Sequence, residues 1–414
     1  MSVSSAVPMI TQPYTLFIRI PVFIDPEGLV YSTELWGHDL KEHLLYIDDL
    51  RLCSPVVRGI TPPEDWVVIP GLHADKVYAL REDRGLVSVV INLLPNFLVV
   101  AKAASKTKIA HCGLAGWAFP LSYYLLLIRP FQRFKWIVAM ESSFWMKPVG
   151  KRASLRVSLR HHFNLFLARA CMREADIRIF TQSWYRDLLL QGNTHNTLVN
   201  EAVWVKEEDV LSTADFEVRA TAAAGPTRLL FPSRLVAEKG VCTLLAAITE
   251  LDRHIAKQTA FSEVVIDVIG SGPMEEDVRA FIAQRSEGPV KVSFLDPMPY
   301  DAGFFELLSR YDAIIVTNLM EEQPRIIYDG FSQGVPCIAS RTSGVVQVVT
   351  DGETGVLFAP GSHSELADCL LKAATDRSAL IEMGRRAINV ARSRTHEGMH
   401  RDRAKFLAET LDLV

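Results

Sequence analysis

Cysteine is scarce in this chain. There are six in 414 residues (Cys53, Cys112, Cys171, Cys242, Cys337 and Cys369), and no two form a C-x-x-C pair. That scatter excludes a disulfide framework and a cysteine zinc site, and fits isolated thiols in a reducing compartment. Excess charge is absent too: the net charge is -4, so nothing in the balance calls for nucleic acid or another polyanion. Long uninterrupted apolar runs are missing. Gly85–Val100 carries Asn92, Pro95 and Asn96, and Leu114–Ile128 holds Pro120. A span takes about 20 apolar residues, so both stretches read as buried helices. The opening "MSVSSAVPMITQPY" has no basic segment leading into an apolar one, so no secretory leader is expected and the expected location is cytoplasmic. No Asp-x-Asp occurs anywhere, and no low-complexity tract or short repeat is found.

What is present is a large apolar fraction, 49%, against 22% charged residues. A chain of this length divides into domains of about 200 residues. Strand-like runs alternate with helical ones: Thr15–Ile24, Arg51–Val57, Asp65–Pro70, Lys108–Cys112, Lys135–Met140 and Ala175–Ser183. A small, polar, loop-like stretch, Asp215–Thr227, interrupts them. The alternation then restarts with Arg228–Arg234, Glu263–Gly270, Val290–Leu295, Tyr311–Asn318, Val335–Ser340 and Gly355–Pro360. Such alternation predicts α/β architecture: two doubly wound, Rossmann-like domains facing a cleft, with ligands beyond the carboxyl ends of parallel strands. The expected boundaries are 1–215, 216–390 and a closing helical segment, 391–414.

The loops after the second set of strands hold the candidate chemistry. "PSRLVAEKG" places Arg234 and Lys239 around the start of a helix, where unpaired N–H groups and the dipole already favour anions. Two surface charges on a solvated loop would read the same way. "GSGP" offers Gly270 and Gly272 for close backbone approach. In "EEQPRIIYDGFSQGVPCIAS", Glu321 follows a strand, Pro324 suits the first turn of a helix, and Asp329 sits a little over one turn in. Two acceptors so placed suit the two ends of a sugar nucleotide, one taking sugar hydroxyls and the other the ribose diol. Acidic residues serving the helix dipole would account for Glu321 and Glu322, but less well for Asp329.

Taken together these motifs resemble the family 4 retaining glycosyltransferases of the GT-B fold. That family carries R-x4-K, here Arg234 and Lys239; a glycine loop, here "GSGP"; Glu-x7-Glu, here Glu321 and Asp329; and a later segment, here "SGVVQVVTDGETG". The resemblance implies transfer of a sugar from a nucleotide diphosphate donor, UDP- or GDP-linked, to a glycan, glycolipid or other natural-product acceptor. It assigns Arg234, Lys239 and Glu321 to catalysis. It places Gly28, Glu141, Gly270, Gly272, Met298, Gln323, Pro324, Arg325, Ile326 and Asp329 with the donor, and His111 on the acceptor side. It implies that the closing segment, 391–414, returns to the first domain, and no metal and no cofactor are expected.

The chain departs from the family pattern at several places. Asp329 replaces the usual second Glu, "EEQP" replaces "E-G-F-G", Gln347 stands where Glu is common, and Glu141 takes the place of a histidine. A non-catalytic relative that binds a sugar nucleotide, and a sugar-nucleotide epimerase, therefore stay open as readings. Basic residues gather from Thr107 to Arg173 with Glu141 as the lone acid. The stretch 147–173 reads as an amphipathic basic helix, suited to peripheral contact with an anionic membrane at its inner face, or as a solvated cationic face.

Overall fold

The computed structural model describes residues 9–114, 119–142, 146, 154–222, 225–255, 263–285 and 288–411. They form two compact units. One comprises Met1–Trp145, Leu159–Glu201 and Met399–Val414, and the other Met146–Ser158 and Ala202–Gly398.

The first unit holds β1 (Tyr14–Phe17), β2 (Val22–Ile24), β3 (Leu29–Thr33), α1 (Glu34–Leu44), β4 (Leu50–Arg58), β5 (Trp66–His73), β6 (Val77–Leu80), α2 (Leu86–Ser105), β7 (Ile109–Gly113), α3 (Leu121–Ile128), β8 (Lys135–Met140), α4 (Leu155–Glu174, in this unit from Leu159), β9 (Ile177–Phe180), α5 (Ser183–Leu190) and β10 (Thr197–Val199). Its strands run in the order β10-β9-β8-β7-β1-β4-β2-β3-β5, with β6 paired to β4. The strands from β10 to β4 are parallel, whereas β3 is antiparallel to both β2 and β5.

The second unit holds α6 (Thr213–Ala222), β11 (Thr227–Pro232), α7 (Val241–Ile255), β12 (Val264–Ile269), α8 (Glu275–Ala283), β13 (Val290–Leu295), α9 (Ala302–Ser309), β14 (Ala313–Val316), α10 (Ile326–Ser332), β15 (Cys337–Ser340), α11 (Ser343–Val346), β16 (Gly355–Phe358), α12 (His363–Thr375) and α13 (Arg377–Arg392). The last helix, α14 (His396–Thr410), starts in this unit. From Met399 it belongs to the first, where Ala404 and Leu407 are buried with the core of that sheet.

All six strands of the second sheet are parallel, in the order β13-β12-β11-β14-β15-β16. Burial explains why. The strands β14 and β15 are buried at every position, which requires helices on both faces. The helix α7 supplies one cover by burying Val241, Leu244, Ala247, Ile248, Leu251 and Ile255 at helical spacing. The sheet order reverses between β11 and β14, and the crevice beyond their carboxyl ends is where this topology places ligands.

Several sequence expectations fail here for physical reasons. Asp215–Thr227 is not a loop through to the next strand. Its first part is α6, held because Phe216 is buried against Gly334. The helix α2 is not buried. One face packs inward through Val89, Asn92, Asn96 and Val100, while Val87, Val90, Ile91, Leu94 and Leu98 are exposed. The stretch around Gly28, "FIDPEGLVYST", makes a turn of its own. It is the hairpin between β2 and β3, closed by the Gly28 N–H to the Asp25 carbonyl at 3.1 Å and the Leu29 N–H to Asp25 Oδ1 at 2.8 Å. Gly28 has φ of 84°, a turn conformation that glycine adopts at low cost, and that is the reason for it.

Candidate donor site

The site is built on the loops that leave β11 and β14. After β11 the chain runs past Arg234 into one turn of 3₁₀ helix, Ala237–Lys239, and then through Gly240 into α7. Lys239 thus lies immediately before a helix N-terminus, as the spacing predicted. Gly240 has φ of 72°, and a Cβ there would stand 2.0 Å from the Thr317 carbonyl oxygen. The β14 exit is therefore pressed against the Lys239 loop. Two further bonds hold the pair: Thr317 Oγ1 donates to the Lys239 carbonyl at 2.5 Å, and the Leu319 N–H donates to the Glu238 carbonyl at 2.8 Å. Alanine at Gly240 is expected to cost about 2 kcal/mol or more, from the left-handed backbone and the clash together. Thermal unfolding should show the variant melting several degrees lower.

Opposite Lys239, the β14 loop presents two carboxylates with different tasks. Glu322 forms an ion pair with the Lys239 ammonium and also accepts from Asn318 Nδ2 at 3.0 Å. Glu321 accepts from the Ser343 N–H at 2.5 Å, at the start of α11. Gly344 is needed beside it, since a Cβ there would lie 2.1 Å from the Glu322 carbonyl oxygen. Sequence spacing singled out Glu321 and passed over Glu322 as a dipole residue; the lysine's partner is Glu322. Arg234 is exposed on the same loop as Lys239, and its guanidinium makes no hydrogen bond to a described residue.

Asp329 is buried on α10, where Tyr300 OH donates to its Oδ1 at 2.8 Å. Burial raises its carboxyl to about 7, against the lowering effects of the Tyr300 hydroxyl and of Arg325. The same contact, with burial, raises the Tyr300 phenol strongly. Tyr300 escaped the sequence reading: it sits 29 residues from Asp329 in the loop after β13, a distance over which no local pattern speaks.

The remaining expected donor residues divide by what they touch. Gly270 and Gly272 face protein backbone rather than open space: added Cβ atoms would meet the Ser233 carbonyl at 1.9 Å and the Leu235 carbonyl at 2.5 Å. Gln323 is held between the Ala202 N–H at 3.2 Å and Tyr328 OH at 3.1 Å. Pro324 is buried two residues before α10, and Ile326 packs on the core. Arg325 is exposed, its guanidinium 5.4 Å over the Trp204 ring. Met298 is about one-third exposed beside Gly303 in the Tyr300 loop.

Three expected residues lie in the first unit. Gly28 is in the hairpin described above. Glu141 is exposed at the end of β8, and residues 147–153 of the basic stretch 147–173 lie outside the described ones. His111 is buried within the unit, its Nδ1 2.7 Å from Tyr14 OH. Burial, reinforced by the Arg403 charge, lowers its pKa well below the usual histidine value and keeps it neutral.

Among the described residues one group has metal-ligand atoms close together: Asp39, His43 and His400, buried in the first unit. These atoms already bond one another, His400 Nε2 to Asp39 Oδ1 at 3.1 Å and His43 Nδ1 to Asp39 Oδ2 at 3.4 Å. The positive field of Arg403 reaches His400, whose pKa falls to about 3 chiefly through burial.

Residues 226–376 match the family described as glycosyl transferases group 1. This stretch is a group 1 glycosyltransferase domain. It contains Arg228 through the β16 strand, and with them Arg234, Lys239, Glu321, Glu322 and Asp329. Curated relatives include the D-inositol 3-phosphate glycosyltransferase of Corynebacterium glutamicum, 30% identical over 168 residues, and the 2-deoxystreptamine N-acetyl-D-glucosaminyltransferase of Niallia circulans, 29% over 165. The matches take in 39% and 38% of this chain, and the chain spans only 38% and 39% of those relatives' lengths.

In fold the likeness runs along almost the whole chain. Sucrose-phosphate synthase of Thermosynechococcus elongatus has a TM-score of 0.68 at 17% identity, covering 97% of this chain and 100% of its own. HepE of Anabaena, solved in complex with UDP-glucose, has a TM-score of 0.61 at 17% identity with the same coverage. The group 1 domain is thus one of two Rossmann-like α/β units of a GT-B fold.

Proposed function

We propose that the chain transfers a sugar from a nucleoside diphosphate sugar, UDP- or GDP-linked, to a hydroxyl-bearing acceptor, with retention at the anomeric carbon. The observation that carries the reading is the Lys239–Glu322 ion pair at the β11/β14 reversal of a group 1 domain, beside the α7 N-terminus, with Glu321 adjacent in the same loop and Asp329 on the helix that follows it. The curated relatives are named for sugar transfer, and HepE was solved with UDP-glucose.

Chemically, breaking the bond from the anomeric carbon to the diphosphate oxygen leaves negative charge on the nucleotide. Lys239, held by Glu322, and the α7 N–H groups are fixed in place before the reaction, which is where such stabilisation is worth most, and Arg234 is an exposed cation on the same loop. Glu321 positions the sugar by its hydroxyls, and Asp329 accepts from the ribose diol in place of Tyr300. The acceptor oxygen attacks from the face the nucleotide leaves, and its proton passes to the departing phosphate oxygen, so no protein nucleophile is required. The protein supplies the charge balance in this scheme and no metal takes part.

The test is a thermal-shift panel of nucleotide sugars on the purified chain, followed by product analysis with the best ligand. A donor at about 100 times its Kd should stabilise the fold by about 2.7 kcal/mol. Transfer or slow donor hydrolysis, with the anomeric configuration kept in the NMR spectrum of the product, supports the reading. Tight binding without either marks a non-catalytic binder, and inversion rejects retention.

A further inference from the structure

We infer that the outer face of α2, α3 and the α4 segment from Leu159 onward docks on an anionic lipid bilayer, the helices lying in its interface rather than crossing it. This inference does not depend on the transferase reading.

Topology puts the three helices side by side. Each links parallel strands stepping in the same direction, from β6 through β7 and β8 to β9, and right-handed crossovers of one direction fall on one face of the sheet. Contacts agree. The Phe97 and Tyr124 rings lie 6.2 Å apart between α2 and α3. Tyr123 OH donates to Asn164 Oδ1 at 2.9 Å between α3 and α4. Gln132 Nε2 donates to the Ala101 carbonyl at 3.1 Å, setting the turn after α3 against the end of α2.

The side of this layer turned from the sheet is apolar to a degree a soluble surface does not need. On α2, Val87, Val90, Ile91, Leu94 and Leu98 recur at helical spacing and are all exposed, Leu94 at 66%. Leu127 of α3 and Phe131, 87% exposed, continue the patch, and α4 adds Leu159, Phe163 and Phe166. The α2 stripe alone is about 17 Å long. Single exposed apolar residues need no explanation, but a contiguous patch does.

Charge identifies the occupant. From Arg84 to Arg173 the chain has fourteen Lys and Arg and one acidic residue, Glu141. Lys102, Lys106, Arg133 and Arg160 are exposed on these helices and their turns. Apolar side chains fringed by cations, with acids excluded, match acyl chains beneath anionic headgroups. A second copy of the chain is a poorer match, because a two-fold contact would set each cation fringe against its twin.

Insertion must be shallow. By length and composition α2 could cross a membrane. Its two asparagines, however, are buried and anchor it to the chain that leaves β6. Asn96 bonds both the Arg81 N–H at 2.8 Å and the Arg81 carbonyl at 3.1 Å, and Asn92 Nδ2 donates to Asp83 Oδ1 at 2.9 Å. The face carrying Val89 and Val100 is core, so only the outer stripe can reach lipid.

The experiment is co-sedimentation of the full chain with vesicles of phosphatidylcholine alone and of phosphatidylcholine with about one-third phosphatidylglycerol, at low and high salt. Binding to the anionic vesicles at low salt is expected, weaker by about tenfold or more on the neutral ones and on raising the salt. The double variant Val90→Asp, Leu94→Asp should lose binding at an unchanged melting temperature, since both sites are already in water. Arg160→Glu should weaken binding to anionic vesicles only. The inference is overturned if anionic vesicles leave the wild type in the supernatant, or if the double variant still binds. It is equally overturned if the wild type is a dimer in solution that Val90→Asp, Leu94→Asp makes monomeric.

Discussion

Lys239→Ala is expected to lower turnover a hundredfold or more while the protein still folds. Removing one preorganised charge donor from a site of this kind typically costs about 2.7–4 kcal/mol in the barrier. Folding should survive because the Lys239 loop is held by its main chain: the carbonyl keeps its bond from Thr317, and Gly240 keeps its packing on the β14 exit. Glu322 is not stranded either, since it keeps Asn318 Nδ2 at 3.0 Å. Steady-state kinetics with saturating donor, beside a melting curve, separates the two effects. Lys239→Arg should recover part of the loss if charge is what matters. Near-wild-type turnover in the alanine variant would remove Lys239 from the role.

Asp329→Asn should give the second large effect, of opposite sign in stability and in binding. The native carboxyl titrates near 7, against 3.8 for an ordinary aspartate, because burial penalises the charge. Between those values the folded state holds a proton that the unfolded state has released. Stability therefore falls as pH rises from about 4 to 7, and the whole cost, roughly 4 kcal/mol, is present above pH 7. Asparagine carries no charge, and its oxygen can still accept from Tyr300. The variant should melt higher than wild type at pH 8, and the gap should close as the pH approaches 4. Its affinity for the free nucleotide should fall at least tenfold, because the ribose diol loses an ionised acceptor. Equal melting curves at pH 8 would contradict the buried charge, and unchanged nucleotide binding would contradict the ribose role. A residue that lowers stability where it serves a ligand is a common compromise at functional sites.

Much of the second unit was legible because its strands announce themselves: runs such as "RLLF" and "AIIV" have no polar alternation, the mark of a sheet covered on both faces. Arg234, Lys239, Glu321 and Asp329 were legible because their spacing is local to single loops. What stayed hidden depended on tertiary contacts. The Glu322 side chain reaches Lys239 across 83 residues, and Tyr300 reaches Asp329 from a different strand exit. In the first unit, "DPEG" between two β-rich runs is a turn signal, and reading it as such would have found the β2–β3 hairpin. His111 and Glu141 were assigned by position in a pattern, whereas their exposure, buried for one and open for the other, is set by packing that no single stretch encodes. The hydropathy of α2 told its composition but not which side met water.

Gly270 and Gly272 bear on how this site can change. The Ser233 N–H bonds the Ile269 carbonyl at 3.0 Å, the Leu235 N–H bonds the Ser271 carbonyl at 2.8 Å, and the Met274 N–H returns to the Leu235 carbonyl at 3.0 Å. With no side chains between them, the β11 and β12 exits interlock like two teeth of a zip. Neither can lengthen or shorten by a residue unless the other does. Drift in loop length among related chains should therefore accumulate at the β13 exit around Met298 and Tyr300, leaving the interlocked pair invariant in size, and with it the reach of Arg234.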